Sequence, residues 1–152
     1  MLVVLVVVIV VAGSSGRTLR SELEFEGRSY RPGESVHIAL SVCSYRVLPM
    51  RTDDGKPSWR ITDESGVVVA DSSHQVFTAV LKTLTWAPRE CRRVLSVEWD
   101  QREWNQRPLE EGEILGVPRR GNPVQPGSYE LDTGWGDLPH ESVTFQIAES
   151  GL

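Results

Sequence analysis

The stretch that decides the fold is Val94-Leu95-Ser96-Val97-Glu98-Trp99-Asp100-Gln101. Apolar and polar residues alternate along it, which is typical of a strand with one buried face. Further along the chain, Pro126-Gly127-Ser128-Tyr129 places a Pro-Gly turn directly before a second alternating segment. The two segments predict two strands, with a long polar region between them.

Short alternating segments separated by turn residues occupy the rest of the chain. The clearest is 35–44, where Val36, Ile38, Leu40 and Val42 share one face. The remaining strands are predicted at 21–25, 45–50, 58–62, 67–70, 127–133 and 141–147, with further extended segments at 75–81 and 83–86. Because no segment has a convincing 3.6-residue period, we expect an all-β antiparallel sandwich of about seven to nine strands.

Length and charge set limits on size and partners. A chain of 152 residues is enough for one sandwich domain. Its net charge of −5 argues against a nucleic acid or an anionic membrane surface as partner. We therefore expect a single domain that does not bind nucleic acid.

The apolar run 2–12 needs a separate interpretation. It is shorter than the roughly 20 residues of a spanning helix, and it fits the apolar core of a signal peptide followed by small residues. No Lys or Arg precedes the run, so an N-terminal anchor and a buried strand are alternatives. We expect residues 1–16 to be a signal peptide or anchor, 17–152 to be the domain, and the protein to be exported. Membrane contact would come only through an uncleaved 1–16 segment.

Cys43 and Cys91 are the two cysteines of the chain. In an exported protein they can pair, and closing a loop of this size stabilises by about 4 kcal/mol in the chain-entropy model. Two separate buried thiols are the alternative. The Cys-x-x-Cys pattern of zinc sites is missing, so no metal site is predicted.

The motifs that carry catalysis are missing or incomplete. His37, His74 and His140 are available, but no Gly-x-Ser-x-Gly elbow accompanies them. Asp132-Thr133-Gly134 matches the core of aspartic proteases once, whereas that chemistry needs two such aspartates. We predict a non-enzymatic protein without cofactors.

Aromatic residues offer a further alternative, a carbohydrate-binding surface. Trp104 and Trp135, if exposed, can stack on a sugar ring, although no motif supports this. Packing within the sandwich is the competing interpretation.

The sequence resembles the BsuPI family at Trp99-Asp100-Gln101 followed by Pro126-Gly127-Ser128-Tyr129. The strand around Trp59, the turn Asp63-Glu64-Ser65-Gly66 and the valines after it are also similar to that family. These small bacterial proteins are named for an intracellular proteinase inhibitor and have an immunoglobulin-like β-sandwich. The resemblance covers about 30–147. It implies that fold and inhibition of a subtilisin-type serine proteinase, and it assigns no inhibitory residues.

The charged region 102–120 departs from this pattern and is longer than a hairpin loop. Within 110–120, the residues predicted to contact a protease are Ile114, Leu115, Gly116, Val117 and Pro118. A loop without a binding role is the alternative. A second hypothesis, from a different functional class, is an adhesion or assembly module that binds a neighbouring protein without inhibiting it.

Overall fold

Alternating apolar residues build two packed β-sheets in the computed structural model of the chain. The structure describes residues 7–11, 18–77 and 82–149, and all regular structure within these ranges is β. The strands are β1 (Val7–Val11), β2 (Leu19–Glu26), β3 (Ser29–Tyr30), β4 (Val36–Ser44), β5 (Met50–Asp53), β6 (Pro57–Asp63), β7 (Val68–Asp71), β8 (Thr83–Trp86), β9 (Cys91–Trp99), β10 (Arg102–Trp104), β11 (Arg120–Pro123), β12 (Gly127–Trp135) and β13 (Glu141–Ile147).

The strands form two sheets and a small ribbon. The first sheet has the order β1-β2-β4-β9, the second has β11-β10-β7-β6-β12-β13-β3, and β5 pairs with β8. Neighbouring strands are antiparallel except in the pairs β10–β7 and β13–β3. The predicted all-β sandwich is confirmed. The described residues form more strands than the seven to nine expected, because short segments such as β3 and β10 add to the sheets. An immunoglobulin-like topology stays a prediction.

The core lies where the inner faces of the two sheets meet. Strand β4 presents Val36, Ile38 and Leu40, which are all buried, as the alternation in 35–44 predicts. Ile61 and Leu131 lie opposite each other on β6 and β12 and are fully buried in the same cluster. Burying each of these side chains contributes about 1.5–3 kcal/mol, so this double layer supplies most of the driving force for folding.

The apolar N-terminal run contributes an edge strand. Strand β1 pairs antiparallel with β2, with Val8 opposite Phe25 and Val10 opposite Leu23. This pairing corresponds to the strand alternative for the run, while cleavage or anchoring of 1–16 stays a prediction. Across the described residues there is no helix of the length and apolarity that membrane crossing requires.

One strand prediction was wrong in position, and one predicted extended segment is only partly described. The strand predicted over 45–50 lies at β5 instead, because Pro49 interrupts the ladder and the chain bends before it. Residues 75–77 are irregular rather than extended in a ladder, and 78–81 lie outside the described residues. Inside the polar region 102–120, β10 and the first residue of β11 form strands that the charge pattern concealed.

Candidate functional site

Gln101, at the polar end of the Trp99 strand, helps to hold the fold together. Gln101 is only 4% exposed and has a φ of 56°. Its Nε2 donates to the carbonyls of Arg31 and Glu34 at 2.8 and 2.7 Å, and its Oε1 accepts from the Gly33 amide at 2.9 Å. The side chain therefore fixes the 31–34 turn against the end of β9.

Tyr129 fixes the segment 126–129 in a similar way. This segment and 99–101 are called here the framing motifs, because they stand on either side of a long exposed loop. The ring of Tyr129 stacks on Phe145 with centroids 5.7 Å apart and meets Trp99 edge-on. Its hydroxyl donates to the carbonyl of Gln125, an arrangement like the tyrosine corner of β-sandwiches. Burial raises the pKa of this hydroxyl. Gln101 and Tyr129 are thus buried in the fold rather than presented to a partner.

Between them the chain forms an exposed excursion, residues 105–119, called here the 105–119 loop. It leaves from β10 and returns at β11, where Trp104 lies opposite Arg120. The Asn105 amide donates to the Arg119 carbonyl at 2.8 Å, and the Arg119 amide donates to Asn105 Oδ1 at 3.1 Å. Arg119 Nε also donates to the Arg107 carbonyl at 2.9 Å. These bonds close the loop at its base.

A second tie lies halfway up the loop. The Arg107 guanidinium binds both carboxylate oxygens of Glu113, with Nη1–Oε2 at 3.0 Å. Glu113 Oε2 also accepts from the Glu110 amide at 2.8 Å. The hydrogen bond from Arg107 lowers the pKa of the Glu113 carboxyl, and the same bond raises the pKa of Arg107. The charges of Arg107 and Glu113 therefore satisfy each other within the loop.

The tip of the loop is apolar and open to solvent. Ile114, Leu115 and Val117 are 73%, 68% and 55% exposed, and Pro118 is half-buried. Gly116 has a φ of 90°, in the left-handed region where a side chain is strained. The five residues predicted as a contact segment thus share one exposed apex. Whether they contact a protease stays a prediction.

The apolar surface continues beyond the tip. Leu115 and Gly116 line a cleft of about 620 Å³ together with Val76, Phe77 and Val94. Val76 and Phe77 are exposed, and Val94 lies on β9, the last strand of its sheet. An apolar partner segment therefore has more to contact than the tip alone.

Asn105 connects the loop to the sandwich. It is 8% exposed and has a φ of 66°. Its Nδ2 lies 2.8 Å from the Asp71 carbonyl and 2.9 Å from His74 Nδ1. Because Asp71 ends β7, this one side chain joins the loop base to the larger sheet.

The exposed tryptophans required for sugar stacking are not found. Trp104 is 5% and Trp135 is 4% exposed. Trp104 meets Trp59 edge-on and donates from Nε1 to Asp100, whereas the ring of Trp135 lies against Gly55 so closely that a Cβ there would overlap it. Packing within the sandwich, the competing interpretation, is correct for both rings.

Within the described residues, His140 and the Asp132 motif are not arranged as in a serine triad. Asp132 binds His140 Nδ1 at 3.0 Å, Ser142 Oγ at 3.2 Å and Arg60 at 3.5 Å. In a catalytic triad the histidine stands between serine and carboxylate, whereas here the carboxylate stands between the other two. His37 points to solvent from the outer face of β4. The Asp132 cluster is a surface ion-pair network.

Cys43 and Cys91 form a disulfide with an S–S distance of 2.05 Å. They face each other across the β4–β9 pair, so the bond ties the edge strand β9 to its neighbour. No group of three or more His, Cys, Asp or Glu side chains suited to a metal ion occurs in the described parts of the chain.

Comparisons with known proteins extend only to the fold. No protein-family model matches the sequence, and no curated protein matches it. Among solved structures, the β-glucosidase of Listeria innocua in complex with gluconolactone is 11% identical with a TM-score of 0.50, over 93% of this chain and 17% of that protein. The alkylpurine DNA glycosylase AlkC of Pseudomonas fluorescens is 14% identical with a TM-score of 0.49, over 88% of this chain and 31% of that protein. The chain thus spans less than a fifth of the glucosidase, and the likeness concerns the sandwich alone.

Sequence reasoning found the tip but missed its supports. Asn105, Arg107, Glu113 and Arg119 close the loop, and none was singled out from the sequence. The opposite charges of Arg107 and Glu113 flanking the same turn were a usable signal. The residue type of Asn105 was a second one, because Asn adopts the left-handed conformation found here more readily than most residues.

Proposed function

We propose that this chain is a non-enzymatic, BsuPI-like β-sandwich that inhibits a subtilisin-type serine proteinase through the 105–119 loop. The observation that carries the proposal is the exposed apolar apex of a loop tied at two levels, by Asn105–Arg119 and by Arg107–Glu113. The protease class comes from the sequence resemblance, and the contact surface comes from the exposed apex of the loop.

The ties on the loop explain how such an apex would bind tightly. A free peptide loses conformational entropy when it enters a protease cleft, whereas a loop already held in one shape loses less. Ile114, Leu115 and Val117 would enter apolar subsites of the cleft. The bonds on both flanks would keep the two sides of the tip together if a peptide bond were cut, so a cleaved loop would leave slowly.

Export forms part of the proposal. Disulfides persist in oxidising compartments and are rare in the cytosol, so the Cys43–Cys91 bond supports an extracytoplasmic protein. The apolar run 2–12 supports the same location. The target would then be a protease met outside the cytoplasm, unlike the intracellular one that named the family.

A titration of subtilisin activity with the purified chain tests the proposal. We expect stoichiometric loss of activity, and a weakening of at least about tenfold for Leu115→Asp, since a charge in an apolar subsite costs more than 1.4 kcal/mol. Leu48→Asp is the matched control, because Leu48 is 65% exposed on a different bend of the chain. Digestion of the chain without inhibition, or equal effects of the two variants, would refute inhibition through the loop.

The second candidate is an extracytoplasmic interaction or adhesion module without inhibitory activity. The cleft shared by Leu115, Val76 and Phe77 favours it, because it offers a contact surface wider than a substrate-like tip. In this case a partner protein would bind with loss of affinity in Leu115→Asp, while subtilisin would remain fully active.

A further inference from the structure

The polarity of the Asn105 side chain is fixed by its surroundings. Its Nδ2 donates to the backbone carbonyl of Asp71 at 2.8 Å, and its Oδ1 accepts from the backbone amide of Arg119 at 3.1 Å. A carbonyl only accepts and a backbone amide only donates. A flipped amide would therefore place two acceptors face to face on one side and two donors on the other.

This fixed polarity also assigns the state of His74. Its Nδ1 lies 2.9 Å from the same Asn105 Nδ2, which is a donor, so Nδ1 must be the acceptor. The ring is consequently neutral, with its proton on Nε2. Protonation of Nδ1 would turn this contact into two facing donors next to a side chain that cannot rotate to receive the new proton.

We propose that His74 is a pH-responsive latch for the 105–119 loop: neutral His74 holds Asn105 and the loop base in the binding shape, and protonation at mildly acidic pH releases them. The inference rests on the proposed function, since it concerns the regulation of the same loop. A single side chain connects His74 to the base of the loop, because Asn105 contacts His74 on one side and the amide of Arg119 on the other.

The groups around His74 set the direction of the effect. Burial lowers the pKa of His74 below its ordinary value, the carbonyl and carboxylate of Asp71 oppose this, and the Arg119 guanidinium adds to it. The rings of His74 and Trp104 meet edge to face with centroids 5.9 Å apart, and that indole has Arg120 over its ring and Asp100 bonded to its Nε1. Because the folded chain prefers neutral His74, the latch is complete above the ordinary pKa of 6.5 and is lost as the pH falls through the lowered one.

The wild-type chain alone provides a first test that needs no protease. In ¹⁵N-resolved NMR spectra between pH 7.5 and pH 5, the Asn105 side-chain amide and the backbone amide of Arg119 should shift with the same midpoint as the His74 ring. Resonances of the Gln101 side chain should not follow this midpoint, because its partners lie in the 31–34 turn. Absence of a common midpoint for His74, Asn105 and Arg119 would overturn the proposal even if the loop inhibits subtilisin.

A second test compares binding at the two pH values with subtilisin whose active-site serine is blocked. One proton linked to binding allows about a threefold to tenfold loss of affinity over the pH unit below the His74 pKa. His74→Asn keeps an acceptor near the Nδ1 position but does not titrate, so its affinity for the blocked protease should be nearly the same at both pH values. The control His37→Asn should keep the wild-type ratio between the two affinities. An unchanged ratio in His74→Asn would overturn the latch. If no binding occurs at either pH, the proposed function fails, and the NMR titration decides the latch alone.

Discussion

Two polar parts of the chain bond their polar groups in opposite ways. One part consists of the framing motifs 99–101 and 126–129, and the other is the 105–119 loop. In the framing motifs, Gln101 bonds to the backbone of the 31–34 turn, and Tyr129 bonds to the carbonyl of Gln125 in the turn before its own strand. In the loop, Arg107 and Glu113 bond to each other and leave apolar side chains outside. The comparison shows that polar sequence alone does not mark a surface. What matters is where each polar group finds its hydrogen-bond partner. Groups that bond within the framing motifs stabilise the fold, whereas groups that bond within a loop fix the shape of that loop for contact.

The largest contrast in stability is expected between Trp99 and Leu115. Trp99→Ala removes a fully buried indole and leaves a cavity, which should lower the free energy of unfolding by about 3–5 kcal/mol. Leu115→Ala, at an exposed position, should change it by no more than about 0.5 kcal/mol. Urea unfolding followed by tryptophan fluorescence measures both. Equal losses would show that the loop is part of the folding core.

Removal of the Cys43–Cys91 bond should rank next. The double variant Cys43→Ala/Cys91→Ala should lose about 4 kcal/mol of unfolding free energy, because a loop of 48 residues is no longer closed in the unfolded chain. Addition of a reductant should destabilise the wild-type chain and leave the double variant unchanged. A wild-type chain indifferent to reductant would contradict the disulfide.

Gln101 should contribute less to stability than the disulfide but more than Gln106. Gln101→Ala removes three hydrogen bonds to the backbone of the 31–34 turn, at a cost of about 2–3 kcal/mol. Gln106→Ala is the matched control, since Gln106 is exposed and makes one bond to the Trp104 carbonyl. Similar thermal unfolding of the two variants would remove the distinction between frame and loop.

The smallest effect concerns the Arg107–Glu113 tie. Since the pKa of Glu113 is lowered from its ordinary value of 4.5, the tie should be complete above that pH and weaken as the pH falls through the lowered pKa. In Arg107→Gln the carboxyl pKa should return towards 4.5, as ¹³C carboxyl shifts can record. The same pKa in both proteins would mean that Arg107 does not hold the carboxylate in solution.

The sequence predicted the parts of the fold that depend on alternation. The apolar face of β4 and the strands that carry Trp59, Trp99 and Tyr129 follow from a two-residue period that burial enforces. Strands β10 and β11 were not predicted, because short strand pairs at a sheet edge contain few apolar residues in alternation. The apex of the loop was recognisable as apolar residues among charges. Its ties were not, because Asn105 and Arg119 meet through folding rather than through spacing.

The most direct test of the contact loop is hydrogen exchange of the chain with and without catalytically blocked subtilisin. We expect the protease to slow exchange within 110–118 and to leave exchange of the amides of 99–101 and 126–129 unchanged. Protection in the frame with none in the loop, or no complex at all, would contradict the claim that this sandwich acts through the 105–119 loop.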